Sequence, residues 1–171
     1  IVGIDGYTTA NWNLFVDLLA RECVINGFEL EAVDSKAVLK SGKEIDDMID
    51  PLLIWDTKID PTLLYGKLYH GGYIGLFDQA KMEQFRKDVP AMKAPGKLVV
   101  VAGYGCMIAE LRDLYDIKCW FDITPMKTML RIRGGEYSNI GKERPGIINR
   151  TIRRCYYCDF ECAVQLRKDL W

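Results

Sequence analysis

The residues best placed to do chemistry lie at the start of the chain, in Ile1-Val2-Gly3-Ile4-Asp5-Gly6-Tyr7-Thr8-Thr9-Ala10-Asn11-Trp12-Asn13. An apolar run, a Gly and Thr turn and a helix-forming segment follow one another, which is the layout of a phosphate-binding loop. In the pattern G-x-x-x-x-G-K-S/T, backbone N–H groups cradle phosphates, the Lys reaches the terminal phosphates and the hydroxyl holds Mg²⁺. Counted from Gly6, the second Gly is Asn11, the Lys is Trp12 and the Ser/Thr is Asn13. An anion cradle is therefore expected over Gly6, Tyr7, Thr8, Thr9, Ala10, Asn11, Trp12 and Asn13, because N–H groups at a helix start attract anions without a lysine; a bare tight turn fits the same residues equally. The side chains that drive phosphoryl transfer are replaced. Trp12 is expected to pack, or to offer its ring face to a base or sugar.

Three further groups of residues bear on chemistry. Asp34 closes the second expected strand, where a carboxylate can take a hydroxyl proton or orient a sugar; a turn or N-cap role fits it equally. Lys36, two residues on, can bring positive charge to the loop from another direction, against the plainer reading of a solvated lysine. Arg131, Arg133, Lys142, Arg144, Arg150, Arg153 and Arg154 form a basic stretch opposed by Glu136 and Glu143. Arginines of this kind clamp phosphates through two-pronged hydrogen bonds, and Arg131, Arg133 and Arg144 are the candidates for such a clamp. Asp56, Asp60 and His70 are weaker candidates.

Cys155, Cys158 and Cys162 share one helix face. A structural zinc site wants four ligands, and no fourth is near in sequence, so a core-facing role is favoured over zinc or an iron–sulfur cluster. No metal site is expected. Cys23 and Cys119 sit in apolar surroundings and read as small buried hydrophobes.

The elements that position these groups alternate between strand and helix. The spacing of Trp12, Phe15, Val16, Leu19 and Cys23 predicts a helix over 10–26, with Thr8 or Thr9 as N-cap and Gly27 as stop. Residues 28–33, 98–103 and 117–122 read as strands, the middle one continuously apolar and β-branched, as a strand buried on both faces should be. Residues 41–95 have a helical texture (43–54 and 79–88), with turns at 59–61 and 71–75, and are expected to lie over the sheet edge as an insertion. A short helix at 108–114, a helix from Thr124-Pro125 to 132 and a helical stretch over 147–170 complete the pattern. Alternation of this kind predicts an α/β fold with a mostly parallel sheet between helical layers.

With 171 residues, 49% hydrophobic and a formal net charge of −1, the chain is expected to be one domain with no general attraction to nucleic acid or to anionic membranes. No apolar run is long enough to span a bilayer and no secretory signal is visible, so a cytoplasmic location with free thiols is expected. The chain reads as an excerpt of a longer polypeptide with an additional domain.

Gly3-Ile4-Asp5-Gly6-Tyr7-Thr8, the strand 98–103 and the run Leu111-Arg112-Asp113-Leu114-Tyr115-Asp116-Ile117-Lys118-Cys119-Trp120-Phe121-Asp122 together resemble the uridine kinase and phosphoribulokinase group of P-loop kinases. The last run is similar to that group's D-L-x-D-x-K-I-F-V-D strand, and Leu130-Arg131-Ile132-Arg133 falls where the group has its lid arginines. The resemblance implies a three-layer P-loop kinase-like fold with strand order 2-3-1-4 and the final strand missing. It also implies a nucleotide site at the loop, ATP and Mg²⁺ as cofactors, and an acceptor site under the insertion. Ala102 stands where the group's third strand carries Glu. A narrower resemblance is to the kinase-like region that accompanies some bacterial class I mannose-6-phosphate isomerases, which carry a similar loop with the Lys lost.

Three functions are open at this point. The first is a degenerate kinase-like domain that binds a nucleotide or a phosphorylated small molecule, such as a sugar phosphate. The second is a divergent small-molecule kinase with Asp34 as base and Lys36 or the lid arginines in place of the missing Lys. The third is an interaction module without a ligand.

Overall fold

The structure, a computed structural model, describes residues 1–61 and 65–171. Its elements in chain order are β1 (Val2–Gly6), α1 (Asn13–Ile25), β2 (Glu29–Asp34), α2 (Gly42–Ile49), α3 (Gly72–Leu76), α4 (Gln79–Ala91), β3 (Lys97–Ala102), β4 (Ile117–Phe121), α5 (Pro125–Arg133), α6 (Ile148–Arg154) and α7 (Phe160–Leu170). The four strands form one parallel sheet in the order β2-β3-β1-β4, as expected. Ile4 of β1 pairs with Ala102 on one side and Cys119 on the other. The segment after β1 therefore leaves from the middle of the sheet's carboxyl edge, where ligands of parallel α/β sheets collect. Asp34, at the end of β2, is in register with Ala102, at the end of β3.

Burial follows the sequence logic. Val99, Val100 and Val101 are all essentially inaccessible, as a strand covered on both faces requires. One sheet face carries the larger core, in which Val99 and Val101 pack with Ile45, Ile49, Tyr73, Leu76, Phe85 and Val89 and with Cys158, Cys162 and Leu166 of α7. The other face is thinner: Val2, Ile4 and Val100 lie under Trp12, Val16 and Leu19. The outer side of α1 leaves Leu14, Leu18, Val24 and Ile25 exposed.

Several elements differ from the sequence reading, each for a local reason. Helix α1 begins at Asn13 rather than residue 10, and neither Thr8 nor Thr9 caps it; Thr9 is in the left-handed region (φ 71°), which ends any helical continuation. Residues 72–76 form a helical turn rather than a bend, with Tyr73 and Leu76 drawn into the core against α7. The helix expected at 108–114 contracts to a single 3₁₀ turn over Arg112–Leu114. The 41–95 segment does not merely cover the sheet edge, since its apolar side chains build the larger core on one face; residues 62–64 of it lie outside the described residues. The stretch 147–170 is helical but interrupted by a π turn at Cys155–Asp159, and Cys155, Cys158 and Cys162 all point inward.

The starts of α2 and α5 are conventional. Ser41 and Glu44 form a reciprocal capping box on α2, and Thr124 with Pro125 opens α5. No helix among the described residues is long and apolar enough to cross a membrane.

Candidate functional site

The turn between β1 and α1 is held from beneath by buried polar groups. The carboxyl of Asp5, fully inaccessible, accepts hydrogen bonds from the N–H groups of Gly6 at 2.7 Å and Met107 at 3.0 Å. Burial raises its pKa to about 7, with those bonds holding it back from a larger rise. Gly6 has no room for a side chain, because a Cβ there would lie 2.5 Å from the Phe121 carbonyl oxygen. Tyr7 donates its N–H to that carbonyl at 2.9 Å, and the Thr8 hydroxyl donates to the Asp159 carbonyl at 3.1 Å.

Above this base, much of the cradle is filled by the protein itself. The Thr9 N–H donates to the Tyr104 hydroxyl at 3.0 Å, the Ala10 N–H to the Tyr7 carbonyl at 2.8 Å, and the Asn13 N–H to the Asn11 side-chain oxygen at 2.9 Å. Arg131 reaches over from α5 and donates to the Thr9 carbonyl at 2.5 Å. The N–H groups of Thr8, Asn11 and Trp12 have no acceptor among the described residues, and of these Asn11 and Trp12 line the cavity beside the loop while Thr8 does not. The broad cradle expected from sequence is thus narrowed to two free donors on that cavity, Asn11 and Trp12.

Those donors border a cavity of about 330 Å³ at the carboxyl ends of β1, β2 and β3. It brings together Thr9, Ala10, Asn11, Trp12 and Asn13 with Asp34, Lys36 and Arg131. Asp34 caps the turn that follows β2, accepting from the Lys36 N–H at 2.8 Å; its carboxylate is 3.9 Å from the Lys36 ammonium, and both side chains are open to solvent. Gly6, Tyr7 and Thr8 are not among the lining residues, nor are Arg133 and Arg144.

The expected three-arginine clamp therefore divides. Arg131 serves this cavity and stands 3.8 Å from Glu136, Arg133 is exposed at the end of α5, and Arg144 lines a different cavity. Arg153 and Arg154, in the same basic stretch, are buried beside Asp60 and Asp46, at 3.2 and 2.7 Å. Asp60 is thereby an interior ion-pair partner, while Asp56 caps the Lys58 N–H and His70 is exposed elsewhere.

Tyr104 is the site residue that sequence reasoning missed. Its ring meets Trp12 edge-on at 4.9 Å, and its own carbonyl accepts from the Ser35 hydroxyl at 3.2 Å. The neighbouring Gly103 has φ 150°, and a Cβ there would fall 2.0 Å from the Ser35 oxygen. The Gly-Tyr-Gly sequence directly after β3 was the available signal. Glu136, Tyr137 and Ser138, from the loop after α5, also line the cavity and carried no signal of their own.

Counted from Gly6, Trp12 and Asn13 stand where the pattern G-x-x-x-x-G-K-S/T has its Lys and its Ser/Thr, and Tyr104 already takes the Thr9 N–H. No group of three or more His, Cys, Asp and Glu among the described residues is arranged to hold a metal ion. These residues do not fit a magnesium triphosphate seated as in an intact loop.

The chain belongs to the family described as Domain of unknown function (DUF8485), whose model matches residues 1–171. No curated protein matches it. Among solved structures it is similar to the "putative fructose transport system kinase" from Silicibacter sp. TM1040, at 13% identity, with 98% of this chain and 84% of that chain covered and a TM-score of 0.62. At that identity the likeness shows the fold, a P-loop kinase-like α/β architecture, which the sheet order also supports.

Proposed function

We propose that this is a kinase-like binding domain that holds a small phosphorylated molecule, of the sugar phosphate class, in the loop cavity without transferring its phosphate. The observation that supports this reading is the convergence of the two free N–H groups of Asn11 and Trp12 with the cations of Lys36 and Arg131 around one cavity. Backbone donors and two cations suit a phosphate monoester. Asp34 and Glu136 at the same rim suit the hydroxyl groups of a sugar. The cavity lies near the lower end of the roughly 300–1,000 Å³ span of small-molecule sites, which favours a phosphosugar over a nucleoside triphosphate.

The name of the similar structure, a fructose transport system kinase, leans the same way, toward a sugar. The proposal extends to the setting. The domain would work in the cytoplasm beside a sugar-metabolising domain, with the mannose-6-phosphate isomerases as the candidate by resemblance.

Calorimetric titration with mannose 6-phosphate, fructose 6-phosphate, ADP and Mg-ATP tests this. The expected result is saturable binding of a sugar phosphate that Lys36→Ala weakens, with no ATP turnover. Magnesium-dependent ATP turnover abolished by Asp34→Ala would establish the kinase reading instead. Absence of binding by every compound would leave the domain as an interaction module.

A further inference from the structure

A second cavity, of about 470 Å³, shares no lining residue with the first. It opens between the segment after α2 and the start of α6, and its lining includes Trp55, Lys142, Arg144, Arg150, Thr151 and Arg154. Asp50 is the one acid in that lining.

The charges are unevenly balanced. Lys142 pairs with Asp46, and Arg154 pairs with Asp46 at 2.7 Å and with Asp50 at 3.5 Å. Arg144 and Arg150 have no carboxylate partner among the described residues. The guanidinium of Arg150 lies over the Trp55 ring, 5.5 Å from its centroid. Stacking occupies the face of a guanidinium and leaves its N–H edges free, the geometry in which arginine grips two oxygens of one phosphate.

An independent observation points to a ligand. Thr151 is 2% exposed, yet its hydroxyl has no hydrogen-bond partner among the described residues. Gly146, another lining residue, keeps the space before it clear: a Cβ there would stand 3.3 Å from the Thr151 oxygen. Arg154, 3% exposed, likewise has its Nε without a partner. Unpaired buried donors are costly, by about 1–3 kcal/mol each, and an anion's oxygens are the acceptors they lack.

We propose that this cavity is a second anion site, taking the phosphate group of a phosphorylated small molecule on Arg144 and Arg150, with the Thr151 hydroxyl as a buried donor. The proposal does not depend on what the loop cavity binds.

The test is a titration of the protein with inorganic pyrophosphate, followed at the indole N–H resonance of Trp55. The expected result is a saturable shift in the parent protein, weakened about tenfold or more in Arg144→Ala/Arg150→Ala, as loss of charge-assisted bonds implies. Thr151→Val should weaken it less and Thr151→Ser should restore it, while Lys36→Ala in the other cavity leaves it unchanged. Both arginines are exposed, so the double variant keeps the fold even if Thr151→Val does not. Absence of a saturable shift in the parent protein overturns the proposal, as does equal affinity in the double variant. A loss produced by Lys36→Ala alone overturns it too, by assigning the effect to the loop.

Discussion

The Tyr104 hydroxyl accepts the Thr9 N–H at 3.0 Å and donates to the Ala10 carbonyl at 3.3 Å, so one phenol satisfies two peptide units of the loop, Thr8–Thr9 and Ala10–Asn11. In a phosphate-binding loop the first of these units faces the ligand. Here a side chain takes the Thr9 N–H, and the free donors that line the cavity are those of Asn11 and Trp12.

Tyr104→Phe should cost about 1 kcal/mol of stability, the usual net value of a lost hydrogen bond. It should also tighten the binding of inorganic phosphate several-fold, because the Thr9 N–H then joins the two free donors. Urea unfolding and a phosphate titration of the same variant check both halves. Unchanged phosphate affinity together with lost stability would show that the Thr9 N–H does not face the cavity.

Thr9 is a β-branched residue at φ 71°, a conformation that favours glycine, and its buried hydroxyl has no partner among the described residues. Thr9→Gly should therefore raise stability by about 1 kcal/mol despite the extra freedom it gives the unfolded chain. Thermal unfolding measures it. A loss of stability would mean that the side chain's packing outweighs its backbone strain.

Asp5 gives the protein an unusual pH dependence. The fold raises this acid from 3.8 to about 7, chiefly by burial. The folded state then holds a proton that the unfolded chain releases near pH 4. Its contribution is therefore greatest below pH 4 and falls as pH rises through about 7, by a few kcal/mol in all. Burial raises the carboxyl of Asp159 as well, against the bonds it accepts from Asn139 and Tyr137, and it acts in the same direction. Glu44, Asp113 and Asp116 are lowered by hydrogen bonds, and their contributions are lost only on the acid side, as pH falls below about 4. Stability by urea unfolding should accordingly be higher at pH 5 than at pH 8. Asp5→Asn should flatten that slope while lowering stability overall, since the Gly6 and Met107 N–H groups bond different oxygens of the carboxyl and one of these becomes an NH₂ donor.

The interior offers a check on how the fold is held. Ile49 of α2 is fully buried in the core shared with β3 and α7. Ile49→Ala should cost about 2–5 kcal/mol, the range for deleting a large buried aliphatic side chain. A cost under 1 kcal/mol in urea unfolding would mean that the 41–95 segment is only loosely docked on the sheet.

The sheet was legible because its signal is local. The apolar run Leu98 to Ala102, with its three valines, and the alternation of strands with helices are enough to predict a parallel sheet. The candidates Asp34, Lys36 and Asn11 were likewise readable, since strand ends and the loop after the first strand converge in any such sheet. What escaped was tertiary. No periodicity reveals that Tyr104 reaches the loop, or that Thr8 and Thr9 turn inward toward Asp159 and Tyr104 instead of capping α1. The basic stretch looked like one clamp because its arginines are near in sequence. Arg131 within α5 and Arg144 in the loop before α6 line separate cavities, and Asp46 and Asp60 draw Arg154 and Arg153 into the interior.

The most direct test of the loop assignment is a ¹⁵N chemical-shift titration with mannose 6-phosphate, read at the backbone amides of Asn11 and Trp12. Saturable shifts are expected at both amides, reduced when Lys36 is replaced by alanine. Amides that stay unmoved at saturating ligand, or shifts that persist undiminished in Lys36→Ala, would contradict the assignment.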